Sequence, residues 1–141
     1  MAESRCLQVW YRRFRPSVLR ARAEARVLAR EWGLPGPVAD SLEWVVTELL
    51  TNAVIHGRTM RGSHVVVGYH LDGDRLRVEV RDAASGMPEL VPLVVEGGDE
   101  PEGGRGLQIV AALADAWGVT PRVIGKTVWA ELNVSSKEGA T

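Results

Sequence analysis

Glu48, Asn52 and His56 recur at i, i+4 and i+8 in the run Glu48-Leu49-Leu50-Thr51-Asn52-Ala53-Val54-Ile55-His56. On a helix with Leu42 as zero they fall near ~240°, ~280° and ~320°, overlapping an apolar arc from roughly 300° to 40°. The polar stripe is therefore expected to be partly buried. A carboxylate and an amide at the edge of a core are costly unless something satisfies them. A hard cation with its waters is one such partner, and a neighbouring loop that hydrogen-bonds the ladder is another. Further on, Leu76, Val78 and Val80 alternate with Arg75, Arg77, Glu79 and Arg81, so strand parity sends Asp82 to the apolar face. A carboxylate accepts hydrogen bonds and donates none. Asp82 would suit the exocyclic amino group of an adenine, or it caps the turn that follows. Gly104-Arg105-Gly106 stands where a later helix is expected to open. Free N–H groups there would meet an anion, with Arg105 adding a positive charge; an ordinary loop exit reads the same way.

Other chemistries find less support. Neither a Gly-Lys-Ser/Thr phosphate loop nor a Gly-x-Gly-x-x-Gly fingerprint after a strand occurs. His56, His64 and His70 make no helical metal pair, and no serine stands in a Gly-x-Ser-x-Gly setting.

These residues need elements to hold them. Residues 5 to 14 read as a strand ended by Pro16. Ser17 stands where a helix N-cap would, and Val18, Ala21, Ala25, Leu28, Ala29 and Trp32 recur at helical spacing up to Gly33. A second helix, about 37 to 57, carries the stripe Val38, Leu42, Val45, Val46, Leu49, Leu50 and Ala53. A hairpin follows, its two alternating strands joined by Asp72-Gly73-Asp74. Residues 83 to 103, rich in Gly, Pro and acidic side chains, read as a long loop of the kind that works as a lid. A third helix then runs to about 116, and two short strands, about 120 to 124 and 127 to 134, close the chain. The expected architecture is α+β, a two-layer sandwich with three helices on one face of a mixed sheet.

With 141 residues, one compact domain is the expectation, and 45% hydrophobic with 25% charged residues excludes a wholly disordered or fibrous chain. No apolar run reaches the roughly 18 residues of a membrane span and no secretory signal follows Met1, so a cytoplasmic protein is expected. Cys6 is the one cysteine, too few for an internal disulfide or a Cys-based zinc site. A net charge of −1 argues against general nucleic-acid binding. That total hides an asymmetry: residues 1 to 30 hold eight arginines against Glu3 and Glu24, a sum of +6, leaving −7 for the rest. The basic stretch suits an acidic partner or a solvated helix face. Of five tryptophans, Trp44 faces away from the apolar arc of its helix, so it packs on another element or marks an interface.

In this order, Glu-x-x-x-Asn-Ala-x-x-His on a helix, Asp-x-x-x-Gly after a strand and Gly-x-Gly-Leu opening a later helix resemble the Bergerat-fold ATPases, which include gyrase, histidine kinases and mismatch-repair ATPases. The closing Gly125-Lys126-Thr127-Val128-Trp129 and the short length make the chain most similar to the anti-sigma-factor serine kinase branch, over roughly residues 5 to 134. The resemblance implies ATP and Mg²⁺ as ligands. Asn52 would hold the metal that bridges the phosphates, and Glu48 would be the general base for a hydroxyl nucleophile. Asp82 would read the adenine amino group, Gly86 would let the chain turn beside the base, and Thr127 would support Asp82 or its water. Gly104, Arg105 and Gly106 would cradle phosphates, with the loop about 83–103 as the lid. Two departures stand out. Ala84 replaces the first glycine of the family's Asp-x-Gly-x-Gly, at a cost of about 1 kcal/mol if that position needs a positive φ. The lid is acidic at Glu96, Asp99, Glu100 and Glu102, which repels phosphate unless these side chains point outward or engage the metal. The length leaves no room for a phosphoacceptor-histidine domain, so the phosphoryl group is expected to pass to another protein. The implied partners are an anti-sigma-factor antagonist and a sigma factor, with a homodimer left open and no direct nucleic-acid or membrane contact. The alternatives are a nucleotide-responsive interaction module with little kinase activity, and a scaffold that binds no nucleotide.

Overall fold

The computed structural model describes residues 4–55, 64–82, 101–121 and 126–134, and of residues 55, 82 and 101–106 it describes the backbone. Element order is β1 (Ser4–Arg12), α1 (Pro16–Glu31), α2 (Gly36–Ile55), β2 (His64–Asp72), β3 (Arg75–Asp82), α3 (Pro101–Leu113), β4 (Ala116–Pro121) and β5 (Lys126–Asn133). The three helices pack on one sheet of order β1-β2-β3-β5-β4, the α+β sandwich expected. Every pairing is antiparallel, so the sheet is not mixed. The α1–α2 pair returns the chain to the end of the sheet it left, and α3 does the reverse before β4, so each strand runs against its neighbours.

Local chemistry explains the element boundaries. Pro16 opens α1 at a position where its missing N–H costs nothing. Ser17 is not the N-cap: it lies inside the first turn and donates its hydroxyl back to the Arg12 carbonyl at 2.7 Å, fixing the corner between β1 and α1. The C-terminus closes as a Schellman motif, with Gly33 at φ +68°, Gly33 N–H on the Arg30 carbonyl and Leu34 N–H on that of Ala29. In the β2–β3 hairpin Gly73, at φ +67°, supplies the left-handed residue that a two-residue loop requires.

The core lies between the layers. The expected α2 stripe is buried along its length and meets Val65, Val67 and Tyr69 of β2, Leu76, Val78 and Val80 of β3, and Val128, Ala130 and Leu132 of β5. Tyr11 of β1 donates its buried hydroxyl to Glu24, tying α1 to the sheet, and burial together with that carboxylate pushes the phenol pKa up.

On the sheet's other face Trp129 lies against Gly118 of β4, while the Arg77 guanidinium sits 4.4 Å from its ring centroid. Arg77 is held by Glu79 at 2.8 Å and Glu131 at 3.0 Å, so the ring has little freedom to retreat. A Cβ on Gly118 would stand 2.8 Å from Trp129 Cζ2. Gly118→Ala is therefore expected to destabilise the fold by about 1–3 kcal/mol, the range for overpacking. The expected reading is a lower denaturant midpoint at an unchanged m-value.

Candidate functional site

The site starts from α2. Burying its apolar stripe leaves Glu48 and Asn52, one turn apart, half-buried along one edge of the helix. Neither side chain makes a hydrogen bond or ion pair among the described residues. By contrast, Glu24, Glu43, Glu79 and Glu131 are all engaged by a tyrosine or by arginines. Burial pushes the Glu48 pKa above the usual carboxylate value, with no cation among the described residues to pull it back. A carboxylate so placed is a proton acceptor in search of a donor. The amide oxygen at Asn52, a neutral hard ligand, suits Mg²⁺ that keeps most of its waters. The donor set thus fits a metal-bound polyphosphate beside a general base. Among the described residues no cluster of three or more His, Cys, Asp or Glu forms a protein-only metal site, so such a metal would take most of its ligands from phosphate and water.

Strand register gathers the other elements at one end. Asp82, the last residue of β3, pairs with Val65 near the start of β2, and Arg81 pairs with Thr127 at the start of β5. β2 is the strand that α2 leads into. α3 ends at Leu113, and after two intervening residues β4 begins beside Glu131 at the opposite end of β5. Packed along α2, its roughly 20 Å length runs its N-terminal turn back toward the Asp82 end. The C-terminal half of α2, the end of β3 and the start of α3 thereby lie toward the same end of the sheet.

Two expectations change. α3 begins at Pro101, so Gly104, Arg105 and Gly106 do not open the helix but lie within its first two turns, and residues 101–103 are helix rather than loop. Proline is favoured at a first helical position, which lets the helix start ahead of the glycines. Thr127 pairs with Arg81 and Thr120, on the opposite face from Val128, Ala130 and Leu132. Although buried, it is on the side away from the helices and is not placed to support a group on the helix side. The β5 residue on the helix side at that end is the half-buried Lys126, which sequence reasoning passed over. The alternation of Val128, Ala130 and Leu132, counted back by two, identifies it. Gly86, Ala84 and most of the expected lid, as well as His56, lie outside the described residues.

Trp44 packs on another element, the first of its two expectations. It is 49% exposed on α2, and the Arg22 guanidinium of α1 lies 5.9 Å from its ring centroid.

The histidine kinase-like ATPase domain family matches residues 14–132. No curated protein gives a significant match to the chain. Among solved structures, the RsbU and RsbW domains of Rv1364c from Mycobacterium tuberculosis share its fold, with a TM-score of 0.68 at 20% identity. That likeness covers 92% of this chain and 32% of the longer one, so the chain spans about a third of that neighbour. With the match running from the β1–α1 corner to the end of β5, the chain belongs to the histidine kinase-like ATPase domain family.

Proposed function

We propose that this domain binds Mg-ATP and transfers the γ-phosphoryl group to a serine or threonine hydroxyl of a partner protein. The observation that carries the reading is Glu48: half-buried, unpartnered among the described residues, its pKa raised by burial, and one helical turn from Asn52. Family membership supports ATP as the donor. In the transfer, the Glu48 carboxylate takes the hydroxyl proton as the acceptor oxygen bonds to the γ-phosphorus. The bond from that phosphorus to the β–γ bridging oxygen breaks, and ADP leaves. Bound metal would neutralise phosphate charge; the chain's own part is to orient it with the Asn52 amide and to exclude water beneath α2. Asp82 holds the adenine amino group. Gly104 and Gly106 allow close approach of phosphate to the N-terminal half of α3, Arg105 adds positive charge there, and Gly86 turns the chain beside the base. The acceptor is an anti-sigma-factor antagonist, and a sigma factor is the protein sequestered. The setting is cytoplasmic; among the described residues no helix is long and apolar enough to cross a membrane.

Ala84, in place of a glycine, favours one other reading, a nucleotide-responsive interaction module with weak catalysis. Calorimetric titration with ATP and ADP, with and without Mg²⁺, tests both. Binding that tightens with Mg²⁺ in the wild type but not in Asn52→Ala is expected. Binding with no turnover toward any hydroxyl acceptor selects the interaction module, and no heat at millimolar nucleotide removes both.

A further inference from the structure

The arginine-rich run between the β1–α1 corner and the end of α1 is not needed by the nucleotide site. Residues 12 to 31 hold seven arginines and two acids, Glu31 at the helix end and Glu24, which is already bonded to Tyr11 and paired with Arg20. Electrostatics argues against this arrangement in an isolated domain. The N-terminal end of a helix carries partial positive charge and prefers acids. Here α1 has no acidic residue in its first turn, Arg15 stands at the cap position without a side-chain cap, and Arg12 and Arg13 precede it. Neither Arg15 nor Arg30 forms an ion pair among the described residues, and Glu43 alone serves both Arg22 and Arg26.

The same face is apolar where it should be polar. Opposite the buried stripe of α1, Leu19, Ala23 and Val27 form a second ridge at i, i+4 and i+8, with Leu19 68% and Val27 44% exposed. The small Ala23 leaves a dip between them into which a side chain of a crossing helix can fit. Trp44 flanks the ridge from α2 with Arg22 over its ring. Phe14, with Arg12 at 4.9 Å, stands at the helix's N-terminal corner. Exposed Trp beside Arg is the composition of an interface centre. A nucleic acid would satisfy the arginines and leave the ridge uncovered.

We propose that the outward face of α1, with Trp44 of α2, docks an acidic amphipathic helix of another protein. The site rests on the reading that this domain acts on a protein partner, and it shares no residue with the nucleotide site, although Trp44 precedes Glu48 by one turn of α2. The Leu19–Ala23–Val27 ridge packs against the partner's apolar stripe, and the arginines pair with carboxylates on either side of that stripe.

The test uses the full chain and a fluorescent synthetic helix of about 20 residues, with leucines along one face flanked by glutamates. A control helix carries lysines in place of the glutamates. Anisotropy is expected to show binding of the acidic helix only, weakening as salt rises. Leu19→Ser and Trp44→Ala should each weaken it about tenfold or more, and Arg15→Glu combined with Arg22→Glu should abolish it. All these residues are exposed, so circular dichroism should remain that of the wild type. Nucleotide affinity should also be unchanged, which separates a failure here from a failure of the nucleotide reading. Absence of binding, equal binding of both helices, or losses confined to variants that also lose structure would overturn the proposal. So would tighter capture by anionic phosphatidylglycerol vesicles or oligothymidine, or self-association that Leu19→Ser removes.

Discussion

Glu48→Ala is expected to lower phosphoryl transfer by about 10²–10⁴-fold, the span contributed by a positioned base, while nucleotide affinity stays close to that of the wild type. The expectation follows from where α2 puts the carboxylate. Its stem shares the edge of a dry core with Leu49 and Val45, while no cation among the described residues compensates the lost hydration. A base of raised pKa holds a proton more strongly once it has taken it from the hydroxyl, which assists the transition state more than the ground state. The acid limb of the rate profile should therefore lie above the pH at which an ordinary glutamate ionises. Stability moves in step. A carboxyl whose pKa is higher folded than unfolded makes the native state bind more protons. Stability then falls as pH rises from the ordinary glutamate value through the raised one, and stays low above it. Glu48→Gln, which cannot ionise, should raise the melting temperature at neutral pH and lose that advantage in acid. Transfer from γ-labelled ATP, read beside calorimetric affinity, decides the assignment. Parallel losses in transfer and binding would make Glu48 a binding or packing residue instead.

α2 was legible because its information is local. Seven apolar residues at helical spacing decide which way the helix turns, and the edge position of Glu48 and Asn52 follows from the same angles. The hairpin was legible for a similar reason, since Asp72-Gly73-Asp74 demands a positive φ that Gly73 supplies. What alternation alone does not carry is the direction of a distant neighbour. β3 and β5 are 43 residues apart between their facing ends, and only the path through α3 and β4 makes them antiparallel. The start of α3 was hidden by composition. Gly103, Gly104 and Gly106 look like loop, but Pro101 supplies a starting φ, and the apolar residues from Leu107 onward pack against α2 and the sheet. The motif implies that Thr127 supports Asp82 or its water, whereas the parity of its own strand places it on the face away from the helices. In β5 a shift of one residue exchanges faces, so Lys126 takes the position. Ser17 shows the limit of capping signals. Its hydroxyl found the Arg12 carbonyl because the chain reverses sharply between β1 and α1.

Asp82→Asn is expected to weaken ATP binding by about 1.5–3 kcal/mol, the worth of a hydrogen bond to a charged group, or roughly ten- to 150-fold. The substitution keeps size and one acceptor oxygen, so most of the loss would come from charge. At the last position of β3, the backbone is paired with Val65 of β2 and follows Arg81, which pairs with Thr127 of β5, so folding is expected to survive the change. Affinity loss alone does not say what the carboxylate recognises, and a purine lacking the amino group does. If Asp82 accepts the adenine N6–H, the wild type should prefer ATP over inosine triphosphate, and much of that preference should vanish in Asp82→Asn. The four affinities form a cycle in which the coupling between side chain and amino group is measured directly. Equal losses for both nucleotides would give zero coupling and move Asp82 from base recognition to a general electrostatic effect at that end of the sheet.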